Sequence, residues 1–245
     1  MPTHLRALFV LVIPILTAAG GCSQPSQTCP RVIFLDGAGW YSGDRGVREG
    51  LAGAGYPGPV ERFGWSLMLG PVADHVLAGP DHPRTNDLAG RLTDLRRANP
   101  DGQIVLMGLS SGCSMIVAAL EKLTADVKVD AVVLLSPSTS RRTDLREALT
   151  HVKGRVYVTI NPYDPVLAVG ESSGSEGGDP AGRIGFSPPE DLPLDEDGQA
   201  LYRKIEYVMW KEEYGKLGWK GGHTGATSAA FIRTVIAPKI MPRYR

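Results

Sequence analysis

The chain has no surplus of charge: 26 Lys and Arg stand against 26 Asp and Glu in 245 residues, without a basic tail or a run of one sign. A grip on nucleic acid needs concentrated positive charge, so no nucleic acid is expected as a partner, and a small or neutral molecule is. Cysteine is scarce. Only Cys29 and Cys113 follow Cys22, and two cysteines do not make a disulfide framework. Cys113 sits in an apolar segment and reads as a small core residue. Histidine and cysteine nowhere take metal-ligand spacing, so no metal is expected, and no other cofactor. No internal repeat is present.

The start of the chain, "MPTHLRALFVLVIPILTAAGGC", combines a basic residue at Arg6, an apolar run from Ala7 to Leu16 and small residues before Cys22. That is the layout of a secretion signal, and residues 1–21 are set apart from the fold. Small residues directly before a cysteine also resemble the lipobox of bacterial lipoproteins, with Ala19 where Leu is commonest. The resemblance implies lipidation of Cys22 and attachment to a membrane by a lipid anchor rather than by a spanning helix. Ordinary secretion is the alternative. Residues 22–30 read as a polar tether.

From Arg31 onward, short apolar, β-branched runs alternate with segments of helical period. This predicts an α/β fold, a mostly parallel central sheet with helices on both faces, in a single domain over 31–245. "RVIFLD", "QIVLM", "VDAVVLLS" and "RVYVTI" are the strong strands, and "PVERFGW" and "KIEYVMW" are further ones. "DRGVREGLAGAGY" is a weak helix because of its glycines. "TNDLAGRLTDLRRANPDG" is a strong one, with Leu88, Leu92 and Leu95 at helical spacing and Asn86 or Thr85 as its cap. "CSMIVAALEKL", "TDLREALTHV" and "TSAAFIRTVIAP" are also helical. Residues 170–198, rich in Gly, Ser, Pro and acid, read as an irregular loop or lid insertion inside the domain.

The pattern G-x-S-x-G occurs twice, as "GLSSG" around Ser110 and "GESSG" around Ser172. A nucleophilic serine of this type stands on a tight turn from strand to helix. Ser110 follows the strand "QIVLM" and precedes a helix, so it is the candidate nucleophile; Ser172 runs into "SEGGDPAG", a flexible polar loop. A serine hydroxyl needs a base, and the base needs an orienting acid. His75 and His82 fall among loop-like residues and His151 at a helix end. His223, in the late glycine-rich loop "WKGGHTGATS", fits the base best. Asp164 follows the strand "RVYVTI", at the sheet edge where catalytic groups of parallel sheets gather.

With "GLSSG", the Asp164 loop and "GGH" in that order, the chain resembles the α/β-hydrolase family, serine esterases and lipases, over most of Arg31 to Ile240. The resemblance implies a Ser110, Asp164, His223 triad and an oxyanion hole built from the backbone N–H of Ser111 and of Ala38, with Gly37 the neighbouring choice. Many relatives have His-Gly where this chain has Asp36-Gly37. The implied activity is cleavage of a small-molecule or lipid-like carboxylic ester through an acyl-enzyme, without a cofactor. Trp40 and Tyr41 stand near an apolar acyl or alcohol site, core packing being the plainer role of Trp40. The same triad serves thioesterases, amidases and peptidases, and a noncatalytic envelope-associated protein with this fold is a further reading.

Overall fold

The computed structural model describes residues 30–39, 42–172, 179–188 and 194–241. The expected signal over 1–21, Cys22 and the rest of the tether up to Cys29 lie outside the described residues, as do Trp40, Tyr41, 173–178 and 189–193.

Six strands form one fully parallel sheet: β1 (Arg31–Leu35), β2 (Val60–Arg62), β3 (Ile104–Leu109), β4 (Ala131–Leu135), β5 (Val156–Ile160) and β6 (Ile205–Met209), in the spatial order β2-β1-β3-β4-β5-β6. β3, β4 and β5 are buried along their whole length, as uninterrupted apolar runs in a parallel sheet must be when helices cover both faces. Alternate residues face opposite ways. Ile33, Leu35, Leu106, Leu134 and Val158 join one core, and Val32, Phe34, Val105, Met107, Val133 and Leu135 join the other.

The first core is closed by α3 (Pro83–Ala98), α4 (Ser111–Leu120) and α5 (Arg146–Thr150), through Leu88, Leu92, Ile116, Ala119 and Leu149. The second is closed by α1 (Gly43–Gly53) and the last helical segment, in which α9 (Ala229–Phe231) and α10 (Ala237–Ile240) flank a π-helical turn over Ile232–Ile236. The glycines that weaken α1 in sequence allow this packing: a Cβ on Gly50 would lie 2.6 Å from the Cβ of Ile232. α3 starts earlier than its pattern predicts. Its cap is His82, whose Nδ1 accepts from the Arg84 N–H at 3.1 Å, with Pro83 in the first turn.

Two helical pieces fall where the sequence reads as loop, and a third covers "PVLAV", which reads as a strand or the start of a helix, and ends inside that loop. α2 (Pro71–Leu77) precedes α3, and α6 (Pro165–Ser172) and α7 (Ala181–Ile184) occupy parts of the stretch around the glycine-rich segment. α8 (Glu196–Tyr202) begins inside its far end. Among the described residues, no helix is long and apolar enough to cross a membrane.

β1 lies between β2 and β3, so the chain leaves β1 to one side for β2 and returns on the other for β3. That reversal opens a crevice at the carboxyl ends of β1 and β3, where ligands of open α/β sheets bind. The loops after these two strands therefore face each other.

Candidate active site

β3 passes into α4 through Ser110, whose φ of 53° and ψ of −120° are strained for a residue with a side chain. Its N–H is held by the Leu135 carbonyl at 2.9 Å. The flanking glycines have a spatial reason. A Cβ on Gly108 would lie 2.9 Å from the Gly112 carbonyl carbon and oxygen, and one on Gly112 would lie 2.6 Å from the carbonyl oxygens of both Leu35 and Asp36. Without side chains at both positions, α4 can fold back over β3 and against the end of β1. Ser110 is left half-buried at the crevice. Ser172 has no such setting, since it is the last residue of α6 and follows a helix rather than a strand.

Asp164 and His223 meet. The His223 Nδ1 lies 2.9 Å from the Asp164 Oδ2, and the carboxylate is fully buried. The other oxygen, Oδ1, accepts from the N–H groups of Val166 at 3.0 Å and Leu167 at 3.3 Å, in the first turn of α6. Asn161, buried just after β5, ties the two loops together. Its Oδ1 accepts from the Tyr163 N–H at 3.0 Å, shaping the turn that carries Asp164, and its Nδ2 donates to the Gly221 carbonyl at 2.6 Å. The loop before His223 is further held by Trp219, fully buried against Phe231, while the Trp210 indole N–H donates to the Trp219 carbonyl at 2.9 Å.

The loop after β1 runs alongside the serine: a Cβ on Gly37 would lie 3.4 Å from the Ser110 Cβ. Ala38 is partly exposed beside it, and Ser111 is 1% exposed at the first position of α4, where a backbone N–H has no acceptor within the helix. Asp36, the departure from His-Gly, is buried and engages the start of α1 and the end of β2. Its Oδ1 accepts from the Gly43 N–H at 2.9 Å, its Oδ2 lies 3.5 Å from the Arg62 Nε, and its carbonyl accepts from the Trp65 indole at 2.8 Å. Burial raises its pKa to about 6, against the lowering effects of the Gly43 hydrogen bond and Arg62.

The structure brings Asp164 to His223 but leaves the Ser110 hydroxyl without a hydrogen-bond partner among the described residues. It also adds a residue that the sequence leaves among loops. His75 of α2 places its Nδ1 2.8 Å from the Ser111 hydroxyl, which lies 3.3 Å from that of Ser138. Burial and the charge of His223 both lower the pKa of His75, so the His223 loop and the start of α4 converge on it. The other two histidines among the described residues are structural: His82 caps α3, and buried His151 has its Nδ1 2.9 Å from the Val127 carbonyl. Cys113 is a buried free thiol, its pKa pushed up by burial. Among the described residues, no three His, Cys, Asp or Glu side chains group to hold a metal.

No family model and no curated protein matches the chain. Among solved structures, it is similar to LpqC, a poly(3-hydroxybutyrate) depolymerase from Bordetella parapertussis, with a TM-score of 0.51 and 13% identity over 89% of this chain and 83% of that one. It is also similar to Est1E from Butyrivibrio proteoclasticus, with a TM-score of 0.49 and 12% identity over 89% of each chain. A cutinase-like protein from Cryptococcus sp. aligns with a TM-score of 0.43 and 17% identity over 88% of this chain and 97% of that one. The six-stranded parallel sheet with helices on both faces is the α/β-hydrolase fold.

Proposed function

We propose that the protein is a serine hydrolase that cleaves carboxylic esters through an acyl-enzyme, with Ser110 as nucleophile, His223 as base and Asp164 as the acid that orients it. The observation that carries this reading is the His223 hydrogen bond to a buried carboxylate at the sheet edge that also bears the strained serine. A carboxylate at Nδ1 holds the proton on that nitrogen and leaves Nε2 to accept one. In the proposed reaction, Nε2 takes the Ser110 proton as Oγ attacks the ester carbonyl. The N–H groups of Ala38 and Ser111 receive the oxyanion, and the N-terminus of α4 adds a favourable dipole. His223 returns the proton to the leaving alcohol, and water then releases the acyl group by the same route.

An ester of apolar character fits the surroundings. Tyr163, Val166 and Val169 beside Asp164, and Leu69, Val72 and Val76 beside His75, are exposed. LpqC is described as a poly(3-hydroxybutyrate) depolymerase, and that polymer is a polyester. Turnover of a panel of p-nitrophenyl esters, thioesters and anilides by wild type and Ser110→Ala tests the assignment; esters turned over only by wild type support it. Thioester or amide turnover without ester turnover replaces the substrate class. The Ser110 hydroxyl, without a hydrogen-bond partner among the described residues, favours one rival, a noncatalytic envelope protein with this fold, and the absence of any turnover would support that rival.

We further propose that the chain is exported and anchored through lipidated Cys22. The support is the basic start, the apolar run and the small residues before that cysteine. Labelling of expressing cells with an alkyne fatty acid, lost in Cys22→Ser, is the expected result; an unlabelled wild type means secretion without an anchor or no export.

A further inference from the structure

α2 docks in an unusual way. A short surface helix normally buries an apolar stripe, yet the buried residue of α2 is Asp74. Its apolar residues face outward, with Val72 78% and Val76 74% exposed. Hydrophobic burial therefore does not explain why α2 rests where it does. Its polar side chains do, and both lead to the proposed oxyanion hole.

We infer that Asp74 and His75 are positioning residues that fix the two oxyanion donors from a single short helix, an inference that rests on the serine-hydrolase reading. Asp74 is fully buried, and among the described residues its carboxylate accepts from three donors. Oδ2 accepts from the Gly39 N–H at 3.3 Å and the Ser66 hydroxyl at 2.5 Å, and Oδ1 accepts from the Leu67 N–H at 3.1 Å. Gly39 directly follows Ala38. Its φ of 86° is left-handed, and a Cβ there would lie 2.8 Å from the Cγ of Pro71, the first residue of α2. The residue after Ala38 is thus held by the Asp74 carboxylate, and only a glycine there leaves room for Pro71.

The next residue, His75, crosses to the opposite wall and meets the Ser111 hydroxyl at 2.8 Å. Consecutive helical side chains diverge by about 100° around the axis, which lets neighbours on one turn reach separate walls. The Ser111 side chain is held between His75 and Ser138, and its own N–H is the second proposed donor. Donors aimed in advance at a developing charge are what such a site contributes to rate. In this chain the aim of both is set by α2. His75 does not need to touch substrate to act in this way.

The test uses the full-length protein with His75→Ala, His75→Asn and Asp74→Asn, assayed for kcat and KM on a soluble p-nitrophenyl ester and for inhibition by a trifluoromethyl ketone, which mimics the tetrahedral state. His75→Asn keeps a polar atom near the Nδ1 position; Asp74→Asn replaces one acceptor oxygen with a donor facing other donors. The expected result is a fall in kcat of about tenfold or more in His75→Ala and Asp74→Asn, with KM within about twofold and the ketone weakened in parallel with kcat. His75→Asn recovers most of the loss. Thermal melts above the assay temperature exclude unfolding as the cause; a variant that melts below it is assayed on cooling, and a wild-type kcat there counts against the inference. Active wild type with kcat unchanged in His75→Ala and Asp74→Asn, or with the loss confined to KM, overturns the inference alone. A wild type that neither turns over ester nor reacts with a fluorophosphonate at Ser110 removes the parent reading and this one with it.

Discussion

The Asn161 side chain donates to the Gly221 carbonyl at 2.6 Å, joining the turn that carries Asp164 to the loop that carries His223. Sixty positions separate the two residues, and their bond is a second tie between the two loops beside the Asp164 to His223 contact. Asn161→Ala is expected to lower kcat by about 10- to 100-fold, since small displacements of a base are costly, with KM changed little. The melting free energy should fall by about 1 kcal/mol for the lost hydrogen bonds. Steady-state kinetics with a thermal melt check both; unchanged kcat would show that the Asp164 contact alone holds His223.

Ser110 stores backbone strain at φ 53°. Glycine adopts that conformation without a steric penalty, whereas alanine retains it. Ser110→Gly is therefore expected to be more stable than Ser110→Ala by about 1 to 2 kcal/mol, within the usual range for such strain, while both lack ester turnover. Chemical denaturation of the two variants measures the difference, and equal stabilities would contradict the strained turn.

Asp36 gives a pH signature in stability. Burial raises its pKa from 3.8 to about 6 in the folded chain. Between those values the folded state holds a proton that the unfolded state has released, so the contribution of Asp36 to stability falls as pH rises from about 4 to about 6. Above that range the ionised, desolvated carboxylate is least favourable, although Arg62 and the Gly43 N–H offset part of the cost. Asp36→Asn should flatten this part of the profile and be no less stable than wild type at pH 8. Melting temperatures measured from pH 4 to 8 decide it, and a slope retained in the variant would assign the effect to another group.

The sheet and the proposed triad are legible in the sequence for a physical reason. β3, β4 and β5 are buried on both faces, which leaves uninterrupted apolar runs; Ser110 stands directly after β3, and Asp164 in the turn that follows β5. The notation G-x-S-x-G is legible only through its setting, and the two glycines of the match at Ser110 are those that a side chain would drive into backbone atoms. α2 is not legible because its pattern is inverted: Val72 and Val76 face outward while Asp74 is buried. Without an apolar stripe on its buried side, the segment carries no helical signature, and His75 none with it. Asn161 leaves a fainter trace, an Asn after a buried strand and before "PYD", which is the composition of a side-chain-stabilised turn. Its second bond, to Gly221, depends on tertiary structure and has no local signature.

The central claim is that the Ser110 hydroxyl is activated by His223. The most direct test is reaction of the purified protein with a fluorophosphonate probe, with the modified residue located by peptide mass spectrometry in wild type, Ser110→Ala, Ser172→Ala and His223→Ala. Labelling is expected at Ser110 in wild type and Ser172→Ala, none in Ser110→Ala, and a loss of at least about 100-fold in labelling rate in His223→Ala. Labelling that persists in Ser110→Ala, or a wild type that does not react, would contradict it.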